Sequence, residues 1–546
     1  ASGRYQTWCV CALRELAGLM RGGNQLSRVT KAAMPVRDGR TASTTQIPAP
    51  YGGWNARGNL ANMPPLDAVV LDNIFPGVQE VYLRNGMVGF KTGFVNEVHS
   101  LLVYNGATGS QMFAVTDTDF YNSTTSGAVG ASVATCTYGY WHYVNFATAG
   151  GSFLVAVNGV DNAKLYDGAT WTTLTGVSVP AITGISTDLL CYISIHKKRI
   201  WCIEEDSMSL WHLAVDSIAG AMTEFPVGSL FRKGGKLVAT GSWTFDGGQG
   251  SDDYFVIVTS NGEIAVYQGI DPTSAASWAL VGVYDVGSPV GKKPLVDFGG
   301  DLLYLSKNGL FPLSKLLQST VIDRSNAFSF KIDGAFLDAA ATYGNNSGWE
   351  MATFRAGNFL IVNIPISTDS LSYQYVMNTI TGAWCRFTGW NSFCWAVMND
   401  SLYFGGVSKV YQAWTGTDDD GTPITATWAQ AYNGLGMNGQ KQISMIRPNF
   451  SLAGNATLIM AFDADFKTFG GRTKITYTDG MDDSLWDTAI WDTSLWPTGL
   501  TTLEPKWTTV PGELGYLHSF RGQLTTSTAS FSWTSLNYAF QPAGIL

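Results

Sequence analysis

A strand–turn–strand pattern returns seven times between residues 100 and 414. The copies are SLLVYNGATGSQMFAV (100–115), FLVAVNGVDNAKLYDG (153–168), KRIWCIEEDSMSLWHLAV (198–215), YFVIVTSNGEIAVYQG (254–269), DLLYLSKNGLFPLS (301–314), NFLIVNIPISTDSLSYQYVM (358–377) and SLYFGGVSKVYQAW (401–414). Each sets two runs rich in Val, Ile, Leu and aromatics around a polar turn, the mark of a hairpin. Taking one apolar anchor from each, Leu102, Leu154, Ile200, Phe255, Leu303, Phe359 and Leu402 are spaced by 52, 46, 55, 48, 56 and 43 residues, a mean of 50. A β unit recurring at about 40–50 residues is the signature of a propeller, in which each blade buries its faces against two neighbours. The chain therefore reads as all-β, with a β-propeller of six or seven blades over residues 66–416. Ordinary antiparallel sandwiches are the alternative, but their hairpins recur less evenly. One interruption, IDGAFLDAAATYG (332–344), predicts a helix inserted as a cover.

The flanks differ from this body. Residues 1–65 read as an N-terminal helix and arm. Trp8, Ala12, Leu13, Leu16, Leu19 and Met20 recur at three- and four-residue intervals over 5–21 and stop at Gly22 and Gly23, and 30–65 lacks periodicity. Residues 1–40 carry seven basic groups (Arg4, Arg14, Arg21, Arg28, Lys31, Arg37, Arg40) against Glu15 and Asp38, a charge of +5. With −9 overall, −14 is left for the remainder. Such an arm suits an acidic neighbour or subunit, or nucleic acid. Residues 417–546 read as a small C-terminal, sandwich-like β domain, from the alternation of ITATWAQAY, ISMIRPNFSL and ATLIMAFDADF. Within it Trp486, Trp491 and Trp496 stand five apart, which fits neither a strand face nor a helix stripe. Tight loops seating the rings in a core or subunit contact, or a stacking platform for sugars or bases, would explain them.

Chemistry is hard to find. The five histidines (His99, His142, His196, His212, His518) form no ligand motif, and no P-loop, GxSxG elbow or dinucleotide fingerprint occurs. The seven cysteines include no CxxC pair, so neither a disulfide framework nor a zinc site is expected, and a reducing compartment fits. No apolar run reaches the length of a membrane helix. YDGATWTTL (166–174) approaches the Asp-box of sialidases, but Asp167 and Gly168 are adjacent, one residue too close, and a β-turn anchored by Trp171 accounts for it. Asp117, Asp119, Asp161, Glu204, Glu205, Asp252, Asp253 and Asp297 are the carboxylates from which a glycosidase pair could be drawn. TDDDG and TDGMDDS are too short for a calcium loop. The expectation is a protein that is not an enzyme, with no catalytic, cofactor-binding or metal-binding residues.

Four segments carry a resemblance: YGGWNARGNLANMPPLDAVVLDNIFPGVQEVYLRNG (51–86), WHYVNFATAGGSFLVAVNGVDNAKLYDGATWTTL (141–174), DDYFVIVTSNGEIAVYQGIDP (252–272) and QYVMNTITGAWCRFTGW (374–390), with DSLWDTAIWDTSLW near the C-terminus. They resemble the tail nozzle or hub proteins, the packaged-DNA-stabilising proteins of short-tailed bacteriophages. That resemblance implies a structural protein of the virion tail, assembled in the bacterial host cytoplasm. It implies a ring, a homohexamer, beneath the head-to-tail adaptor and portal proteins and above tail fibre or tail-tip proteins. Double-stranded DNA would be retained and then conducted through its lumen without sequence-specific binding. A receptor- or glycan-binding tail module is the alternative, with a propeller glycosidase behind it. Charged residues at 14% and aromatics at 13% suit large subunit contacts.

Overall fold

The computed structural model describes residues 42–246, 251–274, 276–317, 323–367, 370–468, 470–477 and 506–542. The expected helix at 5–21, the basic residues of the arm and the three tryptophans at 486, 491 and 496 lie outside them.

Seven small antiparallel blades, the last two continuous with a larger sheet, make the body a seven-bladed β-propeller. Blades 1 to 4 (100–135, 142–173, 190–226 and 237–285) have four strands each. Blade 5 has three strands (295–312) and blade 6 four (350–387). Blade 7 takes three strands from 394–413 and its fourth, Met87–Thr92, from before blade 1, pairing Lys409 with Thr92 and Ala413 with Met87. The inner strand of blade 7 then meets that of blade 1, so the ring closes. A strand borrowed from the far end of the repeat fastens a circle that would otherwise leave two unpaired edges.

The apolar anchors read from the sequence all lie in this core at 1% exposure or less. Six sit on the second strand of their blade, whereas Leu102 sits on the innermost strand of blade 1, where Phe113 is the equivalent position. The repeat is thus correct, but the hairpin recognised is in most blades the second and third strands, and the first interval is shorter than 52. Asn399–Asp400, a two-residue turn between Cys394–Met398 and Ser401–Gly406, has both residues at positive φ, as a mirror-type hairpin turn requires. Lys197–Lys198 are also both positive (47° and 57°), a mirror-type turn closed without Asn or Gly. The helix Asp333–Tyr343 forms where predicted and buries Phe336, Ala339 and Ala340 beside blade 6.

The domain boundaries need correction. Residues 43–65 are not a free arm: Ser43–Pro48 is a strand that pairs with Ser530–Pro542, from Ser43 opposite Phe540 to Pro48 opposite Ser535. That C-terminal strand also pairs with Lys441–Ala453 and with Val81–Leu83. The second sheet runs Asp67–Asp72, Thr422–Gln430, His518–Thr526, Ala456–Ala464 and Thr473–Tyr477. Trp428 of this sheet stacks on Phe531 of the first at 5.9 Å, and Phe520 meets Trp533 edge-on at 5.6 Å. The result is a sandwich built from both flanks of the propeller, not from residues after 416 alone. Pairing across about 490 positions leaves no local periodicity, which is why the segment read as an arm.

Sandwich and propeller share one apolar core and a polar joint. Arg386 of blade 6 grips Asp72 with two bonds, Nε to Oδ1 at 2.8 Å and Nη2 to Oδ2 at 2.6 Å. Arg84, 1% exposed, uses its whole guanidinium. It donates to both carboxylate oxygens of Asp419 (2.8 and 2.6 Å), to Asn73 Oδ1, and to the carbonyls of Asn85 and Thr388. The fork geometry of arginine makes that set possible. Phe75 packs against Phe359, Phe387 and Trp414. Gly53, at φ 87°, has the backbone of Trp384 where a Cβ would be, 2.7 Å away, so only glycine permits the approach.

Candidate functional site

The first residues of the inner strands surround the propeller axis, where two adjoining chambers lie. The inner one, about 560 Å³, is lined from blades 2 to 6 by residues such as Tyr143, Ser194, Thr240, Ser242 and Asp297. The outer one, about 170 Å³, opens between blades 1, 2, 6 and 7 and the loops at 291–293 and 344–349. His142, Lys293 and Glu350 line both.

The inner chamber is dressed with hydroxyls bonded between blades: Ser194 to Thr240 at 2.7 Å, and His196 Nδ1 to Ser242 at 2.9 Å. Burial, with Lys197 next to it, lowers His196 to about 4, so the ring is neutral at pH 7. Asp297 is raised above its ordinary value by burial within the channel wall.

Between the chambers sits an ion pair, Lys293 Nζ to Glu350 Oε1 at 2.8 Å, whose other carboxylate oxygen accepts from the Trp395 amide. Burial alone would lower the Lys293 ammonium, but Glu350 more than offsets this and raises it. His142 is held well below its ordinary value, first by burial and then by the ammonium groups of Lys293 and Lys292. Its ring lies tilted against Tyr192 at 4.7 Å, and the residue is 8% exposed. Around the outer mouth run aromatics: half-buried Tyr138 and Tyr140 at 5.5 Å, then buried His99 4.6 Å from Tyr140, then buried Phe393 5.9 Å from His99.

Of the eight carboxylates read from the sequence, Asp297 alone lines these chambers. Asp161 caps the amides of Thr137 and Tyr138 and holds Asn158. Asp117 accepts from the Gly139 amide and lies 3.4 Å from His99 Nε2. Glu204 accepts from Trp211, Glu205 lies 3.7 Å from Lys236, and Asp253 is bound by Lys197 and Thr244. Asp119 receives the Tyr121 hydroxyl at 3.5 Å. The side chain of Asp252 lies outside the described residues. Asp167 accepts from the amides of Ala169 and Thr170, and Trp171 packs on Phe113 and Phe120, the structural β-turn that the sequence suggested. Sequence reasoning missed Lys292, Lys293, Trp349 and Glu350. The only local signal is the adjacent lysine pair after Gly291 in a chain otherwise poor in charge.

Among the described residues no group of three His, Cys, Asp or Glu side chains is placed to hold a metal ion, and no helix is long and apolar enough to cross a membrane. The five described cysteines are free thiols.

No protein-family model and no curated protein sequence matches the chain. Solved structures similar to it include the extracellular domain of a hybrid two-component system from B. thetaiotaomicron (TM-score 0.37, 10% identity, 70% of this chain and 50% of that one). They also include the β-propeller domain of Cps50 (Swd1) from Myceliophteria thermophila (0.36, 10%, 58% and 97%) and Raptor from Chaetomium thermophilum (0.35, 11%, 61% and 29%). The chain spans half the length of the first of these.

Proposed function

We propose that this chain is a structural protein of a bacteriophage tail, one subunit of a nozzle-like ring below the portal and adaptor that retains packaged DNA and conducts it during ejection. What supports the reading is where two of the family-like segments fall. Residues 51–86 and 374–390, some 300 positions apart, meet as the joint of propeller and sandwich through Asp72–Arg386, Asn73–Thr388, Arg84–Thr388 and Trp54–Tyr375. These contacts hold two bodies stiffly against each other, as a load-carrying subunit requires.

The chain's own axis is not the DNA path. A space of about 560 Å³ corresponds to a cube of about 8 Å on edge, whereas the major groove of a duplex alone is about 12 Å wide. The lumen must be formed between copies, by a heterologous interface that closes about one axis. With −14 outside the first 40 residues, such a lumen would repel phosphates and let DNA slide.

Native mass spectrometry with negative-stain class averages tests this. Six copies around an open channel, in a protein that cofractionates with virions, is the expected result. A monomer that fails to assemble even on portal and adaptor complexes would overturn it.

A further inference from the structure

The outer chamber of the propeller axis is built unlike a structural void. Its 170 Å³ holds roughly a dozen waters, enough for one small ring-sized ligand. Its rim offers half-buried Tyr138 and Tyr140, whose rings present apolar faces with polar tips, the surface that accepts the C–H face of a pyranose.

The floor is polar and biased in sign. Lys292 and Lys293 both line it, and the one carboxylate there, Glu350, is committed to Lys293 and to the Trp395 amide. Lys292 is exposed, lies over the Tyr138 ring at 5.6 Å and makes no ion pair among the described residues. His142 is more than nine-tenths buried and opens on both chambers, and its ring nitrogens have no protein hydrogen-bond partner among the described residues. Its depressed basicity, due to burial and the two lysines, marks the same positive field. A neutral imidazole there can donate to or accept from a hydroxyl.

We propose that the outer chamber binds a single sugar residue bearing a carboxylate, a hexuronic acid unit of an acidic polysaccharide. The ring stacks on Tyr138 and Tyr140, the carboxylate meets Lys292, and His142 takes a hydroxyl. A cationic ligand is opposed by the uncompensated Lys292 ammonium, and a polyphosphate would need more than one uncommitted cation. This site does not depend on the ring assembly proposed above.

The test uses the full chain with D-glucuronate and D-glucose as probes, by isothermal titration and saturation-transfer difference NMR. Glucuronate is expected to bind with a Kd of about 1 mM, as suits one sugar unit. Lys292→Gln, at an exposed position, should weaken it about 10-fold while leaving the weaker glucose binding unchanged, and Tyr138→Ala should weaken both. Circular dichroism verifies that the variants fold. No saturation transfer to glucuronate at about 20 mM, some 20-fold above that Kd, would overturn the proposal. So would equal affinity for glucose, or glucuronate binding indifferent to either substitution.

Discussion

Arg84 is the most heavily committed side chain in the joint, and its removal gives the sharpest test of how the two bodies hold together. Arg84→Met keeps the length of the side chain but deletes five hydrogen bonds and strands Asp419, whose only other side-chain donor among the described residues is Trp390 Nε1 at 3.2 Å. Breaking a buried pair in this way costs about 3–5 kcal/mol, mostly through the uncompensated charge. At about 2.1 cal/mol/K per residue, unfolding of the whole 546-residue chain as one unit has an entropy near 1.1 kcal/mol/K, so a 4 kcal/mol loss lowers Tm by about 4 °C. Were the roughly 160 residues of 43–83 and 422–542 to melt by themselves, the same loss would lower that transition by about 12 °C. Differential scanning calorimetry separates the cases. The double variant Arg84→Met/Asp419→Leu should recover at least half of the loss, because an apolar pair carries no stranded charge. A single variant that loses less than about 1 kcal/mol, or a double variant no better than the single, would refute the reasoning.

Other outcomes follow from the same structure. His142, His196, His212 and His518 are all shifted downward, each chiefly by burial, and His196 reaches about 4. The unfolded chain therefore binds more protons than the folded one below about pH 6.5, and stability should fall as pH drops from there towards 4. The loss contributed by His196 alone should approach about 3 kcal/mol, read as a shallower pH dependence of urea midpoints in His196→Gln. Lys198→Gly should raise stability by about 0.5–1 kcal/mol, because a lysine at φ 57° in a two-residue mirror turn is strained and its ion pair with Asp216, at 3.7 Å, is exposed. A lower urea midpoint in that variant would contradict the turn assignment.

How much of this was legible in the sequence depends on the range of the interaction that fixes each element. Blades are local: runs such as YFVIV and EIAVYQG pair with each other across a two- to four-residue turn, so period and turn chemistry reveal them. The helix Asp333–Tyr343 is equally local. The axial chambers are not, because His142 of blade 2, Lys293 of the loop before blade 5 and Glu350 of blade 6 meet only once the ring has closed. Nor could carboxylates such as Asp161 be sorted by type: the same residue that serves catalysis elsewhere here ties Thr137 to Asn158.

The closure of the fold shows why its ends misled. Met87–Thr92 completes blade 7, whose other strands follow more than 300 residues later, and Ser43–Pro48 waits for Ser535–Phe540. Both pairings bear loop-closure entropy that only the intervening propeller, by bringing the ends together, can reduce. The joint is then the place where that closure is locked, since Asp72, Asn73 and Arg84 all lie between the two closing strands and reach across to blade 6 and to Asp419. The segment 43–92, 50 residues long, thus fastens the propeller, supplies strands to both sheets of the sandwich and fixes one to the other. Its sequence looked featureless at 43–65 because its partners, not its own periodicity, determine its structure.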